Sequence, residues 1–323
     1  MHVDDVRSEG LPSSPSGRVP QWVLDEHARA DLPPVPRSAG SVGRAARRLL
    51  AVVLLVPALA LGTAALTDPG SWSWAPTVEE TPLLVEPAAQ PAPPADRLPD
   101  RPAPGVEAAP GPRGVPLPAP PEGGSHAFIS FQPDGVTPVA YDPCRPVHYV
   151  IRPDAAPRGG EELVHAAIAR ISEVTGLQFV YNGATDEART DDRELFQPDR
   201  YGRRWAPVLI TWETEEQNPA LAGDVVGEAG SVPASLGDGP RVFLTGTVSL
   251  DAPRFVEILR ERDGRTVARS IVLHELGHLM GLAHVDDGQQ LMFPEARREV
   301  SDFAAGDLTG LAALGAGPCV PEL

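Results

Sequence analysis

The chain has 323 residues and a formal net charge of −17, and all of its basic residues are arginine. That balance excludes an ordinary nucleic-acid binder, because a phosphate backbone demands a basic face, and it suits a soluble exported domain. Its 38 prolines exclude a chain that is globular throughout: 14 of them lie between Pro82 and Pro121, so the fold must be made elsewhere.

In chain order, residues 1–48 carry Pro, Ser, Gly and charges and read as a disordered cytoplasmic tail. Leu49 to Leu66 then runs eighteen residues without a charge. At ~1.5 Å per residue this makes about 27 Å of helix, close to the thickness of a bilayer's hydrocarbon core. Arg37, Arg44, Arg47 and Arg48 precede it, and Asp68, Glu79 and Glu80 follow it. The positive-inside rule places the amino terminus in the cytoplasm and everything after the segment outside. A cleaved signal peptide, giving a secreted protein, is the alternative, since Ala58-Leu59-Ala60 offers small residues for cutting. Residues 67–125 are rich in Pro, Ala and Gly and read as an extracytoplasmic linker, extended and semi-rigid, with no core of its own. Trp72 and Trp74 at its start suit a membrane interface.

The globular domain is expected over 126–323, long enough for one sizeable core. Strands are predicted at 147–151, 177–181 and 208–212, with one or two more within 241–250. A helix is predicted from Glu161 to Thr175, where Leu163, Ala167, Ile168, Ile171 and Val174 recur at helical spacing before Gly176. A long helix follows over 266–280 and a last one over 303–314. The two cysteines, Cys144 and Cys319, lie near the two ends of this domain. In an oxidising compartment they would form a clasp across it; the alternative is two unrelated thiols.

The long helix carries His274-Glu275-Leu276-Gly277-His278, and Gly281 and His284 follow. His274 and His278 stand one turn apart on one face and can converge on one metal ion. Glu275 lies beside them, placed to hold and deprotonate a water. Gly281 tolerates the left-handed turn that would end the helix and bring His284 back as a third nitrogen. Three protein ligands leave a fourth position open, the arrangement of a catalytic zinc. An amphipathic core helix with incidental histidines accounts for Ile271, Val272, Leu276 and Leu279, but not for three histidines at this spacing.

H-E-x-x-H-x-x-G-x-x-H with Met292 in Leu291-Met292-Phe293-Pro294 resembles the metzincin metallopeptidases, and its spacing is most similar to their matrixin branch. The resemblance implies an α+β, zincin-like catalytic domain with a twisted mixed sheet, an active-site helix and a C-terminal helix. It implies one catalytic Zn²⁺ held by His274, His278 and His284, Glu275 as general base, and Met292 as the floor beneath the metal. It further implies hydrolysis of a protein or peptide substrate, with a specificity wall at about 294–300. Two other classes fit the same ligands: a surface zinc-containing binding or adhesion module, and a zinc amidase acting on cell-wall peptides.

Outside this stretch, Asp186, Glu187, Asp191, Asp192 and Glu194 cluster in one segment, and Glu213, Glu215 and Glu216 in another. Carboxylate oxygens of this kind can bind Ca²⁺, but no calcium-loop spacing is present, and solvated acidic loops are the plainer expectation. His148, in a strand, and His165, in a helix, read as structural histidines.

Overall fold

The computed structural model describes residues 101–323, together with the backbone of the short strand β1, Trp72–Ser73. The tail expected at 1–48, the membrane segment at 49–66 and the rest of the linker up to residue 100 lie outside the described residues. No helix among the described residues is long and apolar enough to cross a membrane.

The elements follow in the order β2 (Ala127–Phe128), β3 (Ala140–Tyr141), β4 (Val147–Arg152), α1 (Gly160–Thr175), β5 (Phe179–Ala184), the single turn α2 (Pro198–Tyr201), β6 (Val208–Glu213), β7 (Gly227–Ala234), β8 (Val242–Asp251), α3 (Ala252–Ile258), α4 (Gly264–Met280), β9 (Leu282–Ala283), β10 (Glu295–Ala296) and α5 (Ala305–Leu314). The central sheet runs β5-β4-β6-β8 in parallel, and β7 pairs antiparallel along the far edge of β8. Every residue of β6 is buried, as a strand covered on both faces requires. Helix α1 lays Leu163, Ala167, Ile171 and Val174 into the core and stops at Gly176, whose φ of 69° is a left-handed cap.

Helix α4 is buried on all sides from Ser270 to Met280. Such a helix should be apolar all round, so the histidines and the glutamate on it are out of place unless a site needs them. It ends at Gly281, with φ 117°, whose N–H donates to the carbonyls of Gly277 and His278.

Two parts of the chain differ from expectation. Strand β7 and helix α3 were not legible: β7 contains Gly227, Gly230 and Pro233, residues that depress strand propensity. Pro233 lies at a register shift on an edge strand, where a missing N–H does little harm.

The second difference corrects the linker boundary. Residues 101–125 lie along the domain as a strap rather than as a free spacer. Gly105 N–H donates to Pro321 O (2.7 Å), Ala109 to Cys144 O (2.8 Å), Arg113 to Pro143 O (2.9 Å) and Leu117 to Val174 O (3.1 Å). Proline restricts the free chain in advance, so docking it costs less conformational entropy than docking an ordinary loop. Glu107 belongs to the strap and meets His148 Nε2 at 3.0 Å. Further upstream, Trp72, expected at a membrane interface, lies in β1, which pairs antiparallel with β10.

Cys144 and Cys319 are disulfide-bonded, with their Cα atoms 5.4 Å apart. Asp142 seats both arms: its carboxylate accepts from Cys144 N (2.8 Å) and Val320 N (3.1 Å).

The strap should contribute measurably to stability. Four backbone hydrogen bonds at about 1 kcal/mol each correspond to roughly 8–16 °C in melting temperature for a domain of this size. Residues 126–323 should therefore melt that far below residues 101–323 in calorimetry with the disulfide intact. Equal melting points would show that the strap is bound to nothing that matters.

Candidate metal centre

The α4 register and the Gly281 turn bring three imidazoles together. His284 Nε2 lies 3.0 Å from His274 Nε2 and 3.1 Å from His278 Nε2. The other ring nitrogen of each helix histidine is already used. His274 Nδ1 donates to Leu291 O (2.7 Å) and His278 Nδ1 donates to Leu282 O (2.8 Å). A carbonyl can only accept, so both Nδ1 atoms carry the proton and both Nε2 atoms present lone pairs inward. Two lone pairs directed at the His284 nitrogen at this range make a site that a cation can occupy once that nitrogen also presents its lone pair. The donor set, neutral imidazoles in a buried site, fits Zn²⁺.

Burial also keeps the imidazoles neutral. Desolvation lowers His278 to about 4; desolvation and then the neighbouring His278 lower His284 to about 2. His274 is pushed well below its usual value by desolvation, then by the other two rings.

Glu275 is fully buried, and neither of its carboxylate oxygens has a hydrogen-bond partner among the described residues. Desolvation, then the charge of Glu228, raises its proton affinity well above the ordinary carboxylate range. Room for it is made by Gly227 at the start of β7: a Cβ there would lie 2.7 Å from Glu275 Cγ and 2.8 Å from its Oε1.

Met292 packs into a notch on α4. A Cβ at Gly277 would stand 2.5 Å from the Met292 sulfur, so the glycine lets the thioether lie against the helix between the two ligand positions. The turn carrying it is fixed from α5. Asp307, fully buried, accepts from Leu291 N (2.7 Å), Met292 N (3.3 Å) and Ala304 N (2.9 Å). Gln290 Oε1 returns the contact by accepting from Gly306 N (2.9 Å). A single carboxylate therefore holds Leu291, whose carbonyl holds His274.

The matrixin family model matches residues 150–314 of this chain, a span that contains every one of these groups. The chain belongs to the matrixin family of zinc metalloendopeptidases. No individual curated protein matches it. In this matrixin the expected residues His274, His278, His284, Glu275 and Met292 lie in one place, while Cys144 and Cys319 stand apart at the end of the domain. Gly227, Gly277, Gln290 and Asp307 escaped the sequence reading. Asp307 alone left a signal, as an acid within the otherwise apolar last helix.

The acidic segment at 186–194 is not simply solvated. Glu187 is buried and paired with Arg193, Asp186 with Arg200 and Asp191 with Arg189. Among the described residues, the groups whose donors converge as metal ligands are the three histidines and Asp142 with the two disulfide cysteines. His148 and His165 lie outside the centre, His165 bonded to Tyr149 OH at 2.8 Å.

Two outcomes are expected. Gly227→Ala drives a methyl into Glu275 and should cut kcat at least a hundredfold while zinc content stays near one per chain by metal analysis. The second concerns pH in the chelated domain. A buried histidine with a depressed pKa stabilises the fold above its unfolded value of about 6.5, and that stability is lost as pH falls toward the folded value, about 4 for His278. Unfolding free energy should fall over that window, and less steeply in His278→Gln.

Proposed function

We propose that this matrixin cleaves proteins outside the cell, held at the membrane by residues 49–66, with Glu275 as the proton-transfer group of the reaction. The observation that carries the chemistry is the unpartnered, buried carboxylate of Glu275 on the same helix as two of three converged imidazoles. His274, His278 and His284 would hold the metal. When bound, zinc lowers the pKa of water toward about 7 and polarises the scissile carbonyl.

The chain's own residues do the rest. The tautomers fixed by Leu291 O and Leu282 O keep lone pairs, not protons, facing the site. Glu275 takes the proton from the attacking water on a carboxylate oxygen and returns it to the departing amine nitrogen. Its apolar enclosure excludes bulk water that would otherwise exchange that proton. Gly227 keeps the carboxylate's rotamer open, and Met292 supports the ligands from the side of α4.

Placement outside the cell is supported by the disulfide, a bond that persists in oxidising compartments, and by the arginines ahead of the apolar run. The remaining linker would hold the domain off the membrane. A signal peptide cleaved near residues 61–68 places the same domain in the medium.

Glu275→Gln should retain zinc and lose about 10²–10⁴ in turnover, the range of general acid–base catalysis. His278→Ala should lose both metal and activity. A zinc-loaded Glu275→Gln that still turns over would remove this glutamate from the mechanism. Protease applied to intact cells should release the domain and spare residues 1–48; recovery of untreated protein from the medium with a terminus near 61–68 would establish cleavage instead.

A further inference from the structure

The three imidazoles are not held alike. His274 and His278 each have their outer nitrogen bonded to a carbonyl, but His284 Nδ1 is buried and has no hydrogen-bond partner among the described residues. A metal-ligating histidine is ordinarily oriented through that second nitrogen. For His284 the orientation has to come from the backbone that carries it. That backbone is the loop from His284 to Met292, closed where Val285 N–H donates to Met292 O (3.0 Å).

Gln290 is the side chain inside this loop that ties it down. It is buried, and its amide meets two kinds of partner. Oε1 accepts from Gly306 N (2.9 Å) and Asp307 N (3.3 Å), and Nε2 donates to Asp287 Oδ2 (3.0 Å). The partners fix which end of the amide is which, because a backbone N–H only donates and an ionised carboxylate only accepts. Gln290 N–H also donates to Asp287 O (3.0 Å), so main chain and side chain hold Asp287 together. Asp287 lies three residues after His284. Gln290 itself immediately precedes Leu291, whose carbonyl holds His274.

The other side of the brace is the first turn of α5. Ala304, just before that helix, makes no side-chain cap, so the first N–H groups need an acceptor from elsewhere. Gln290 supplies it from the loop. The bond that completes α5 is therefore also the bond that fixes the loop. An apolar residue here would leave two buried N–H groups without Oε1, and a glutamate would set a third carboxylate beside Asp287 and Asp307. An amide serves both sides without adding charge. The main chain at Ser125 closes against the same turn: a Cβ at Gly306 would lie 2.1 Å from Ser125 O, so the start of α5 has no room to shift on that side.

Resting on the zinc peptidase reading above, we propose that Gln290 is a positioning residue of the metal centre, bracing the loop so that His284 faces His274 and His278 without a hydrogen bond of its own. It touches neither metal nor substrate and acts through residues 284–292. Its loss frees the third ligand, which loosens the metal and lowers turnover rather than substrate binding.

Gln290→Met keeps the length of the side chain and removes its hydrogen bonds. In chelator competition this variant should bind zinc about 10–100-fold more weakly, the range for loss of an outer partner of a metal ligand. With Co²⁺ in place of Zn²⁺, the visible absorption of the bound ion should change. On a peptide substrate kcat should fall at least tenfold with KM within twofold. Gln290→Glu combined with Asp287→Asn restores donor and acceptor in reverse; it should return zinc affinity to within threefold of wild type and restore the spectrum, whereas Gln290→Glu alone should do neither. Leu311→Ala, a change in the buried core of the same helix, should lower the melting temperature and leave affinity and spectrum as they are.

Zinc affinity within twofold of wild type in Gln290→Met, with an unaltered cobalt spectrum, overturns the proposal, and so does an equal loss of affinity in Leu311→Ala. If Gln290→Met does not fold, Gln290→Glu decides: failure of Asp287→Asn to restore its zinc binding overturns the proposal. A wild type that binds zinc and cleaves no peptide speaks against the peptidase reading alone, and affinity and spectrum then decide the role of Gln290.

Discussion

One imidazole nitrogen, of His284, lies about 3 Å from those of His274 and His278, and much of the domain serves to hold the three rings there. Two are fixed by carbonyls, at Leu291 and Leu282, that belong to segments following α4 rather than to the helix itself. Each carbonyl has its own support. Leu291 hangs from Asp307, and Leu282 lies in β9, which pairs with β2 just past the strap. The metal centre is thus assembled from the first and last parts of the domain as well as from its central helix. Disturbance at α5 should reach His274 without any contact to it.

Three buried carboxylates near the two ends of the domain and in the loop over the sheet follow one pattern. Glu187 with Arg193, Asp142 against two backbone N–H groups and Asp307 against three are enclosed and fully engaged. Such groups are costly to bury and costly to break, so they define one arrangement of the chain around them. Glu275 differs from these three: it is as deeply buried as any of them, and both of its oxygens lack a partner, where Glu213 leaves one buried oxygen unpaired. A group that the fold could have satisfied and did not is where the chemistry is expected.

Periodic apolar patterns told most about the fold. The strands at 147–152 and 208–213 and the helices at 160–175 and 264–280 all stand within a few residues of where their sequences place them, because burial on one or both faces writes itself into residue choice. Strand β7 was illegible because its work is done by backbone: Gly227 is there for its closeness to Glu275, and Pro233 tolerates an edge. The strap was illegible for the reverse reason. A composition too poor in apolar residues to build a core says nothing about whether it can lie on one. At the metal centre the ligands were plain from spacing, while Asp307 and Gly277 act across gaps of fifteen residues or so, and no local pattern records such partners.

The disulfide has a consequence particular to an enzyme that cuts chains like its own. Cys144 and Cys319 enclose 175 residues of separation, and within it lie the whole sheet core from β4 onward, the histidines, Glu275, Asp307 and the paired Glu187 and Arg193. A copy that nicks another anywhere in that span, the exposed residues 198–200 for instance, produces two pieces that cannot diffuse apart. Autolysis would then leave a two-chain molecule with its ligands still in register, and injury of that kind would appear on a gel only after reduction.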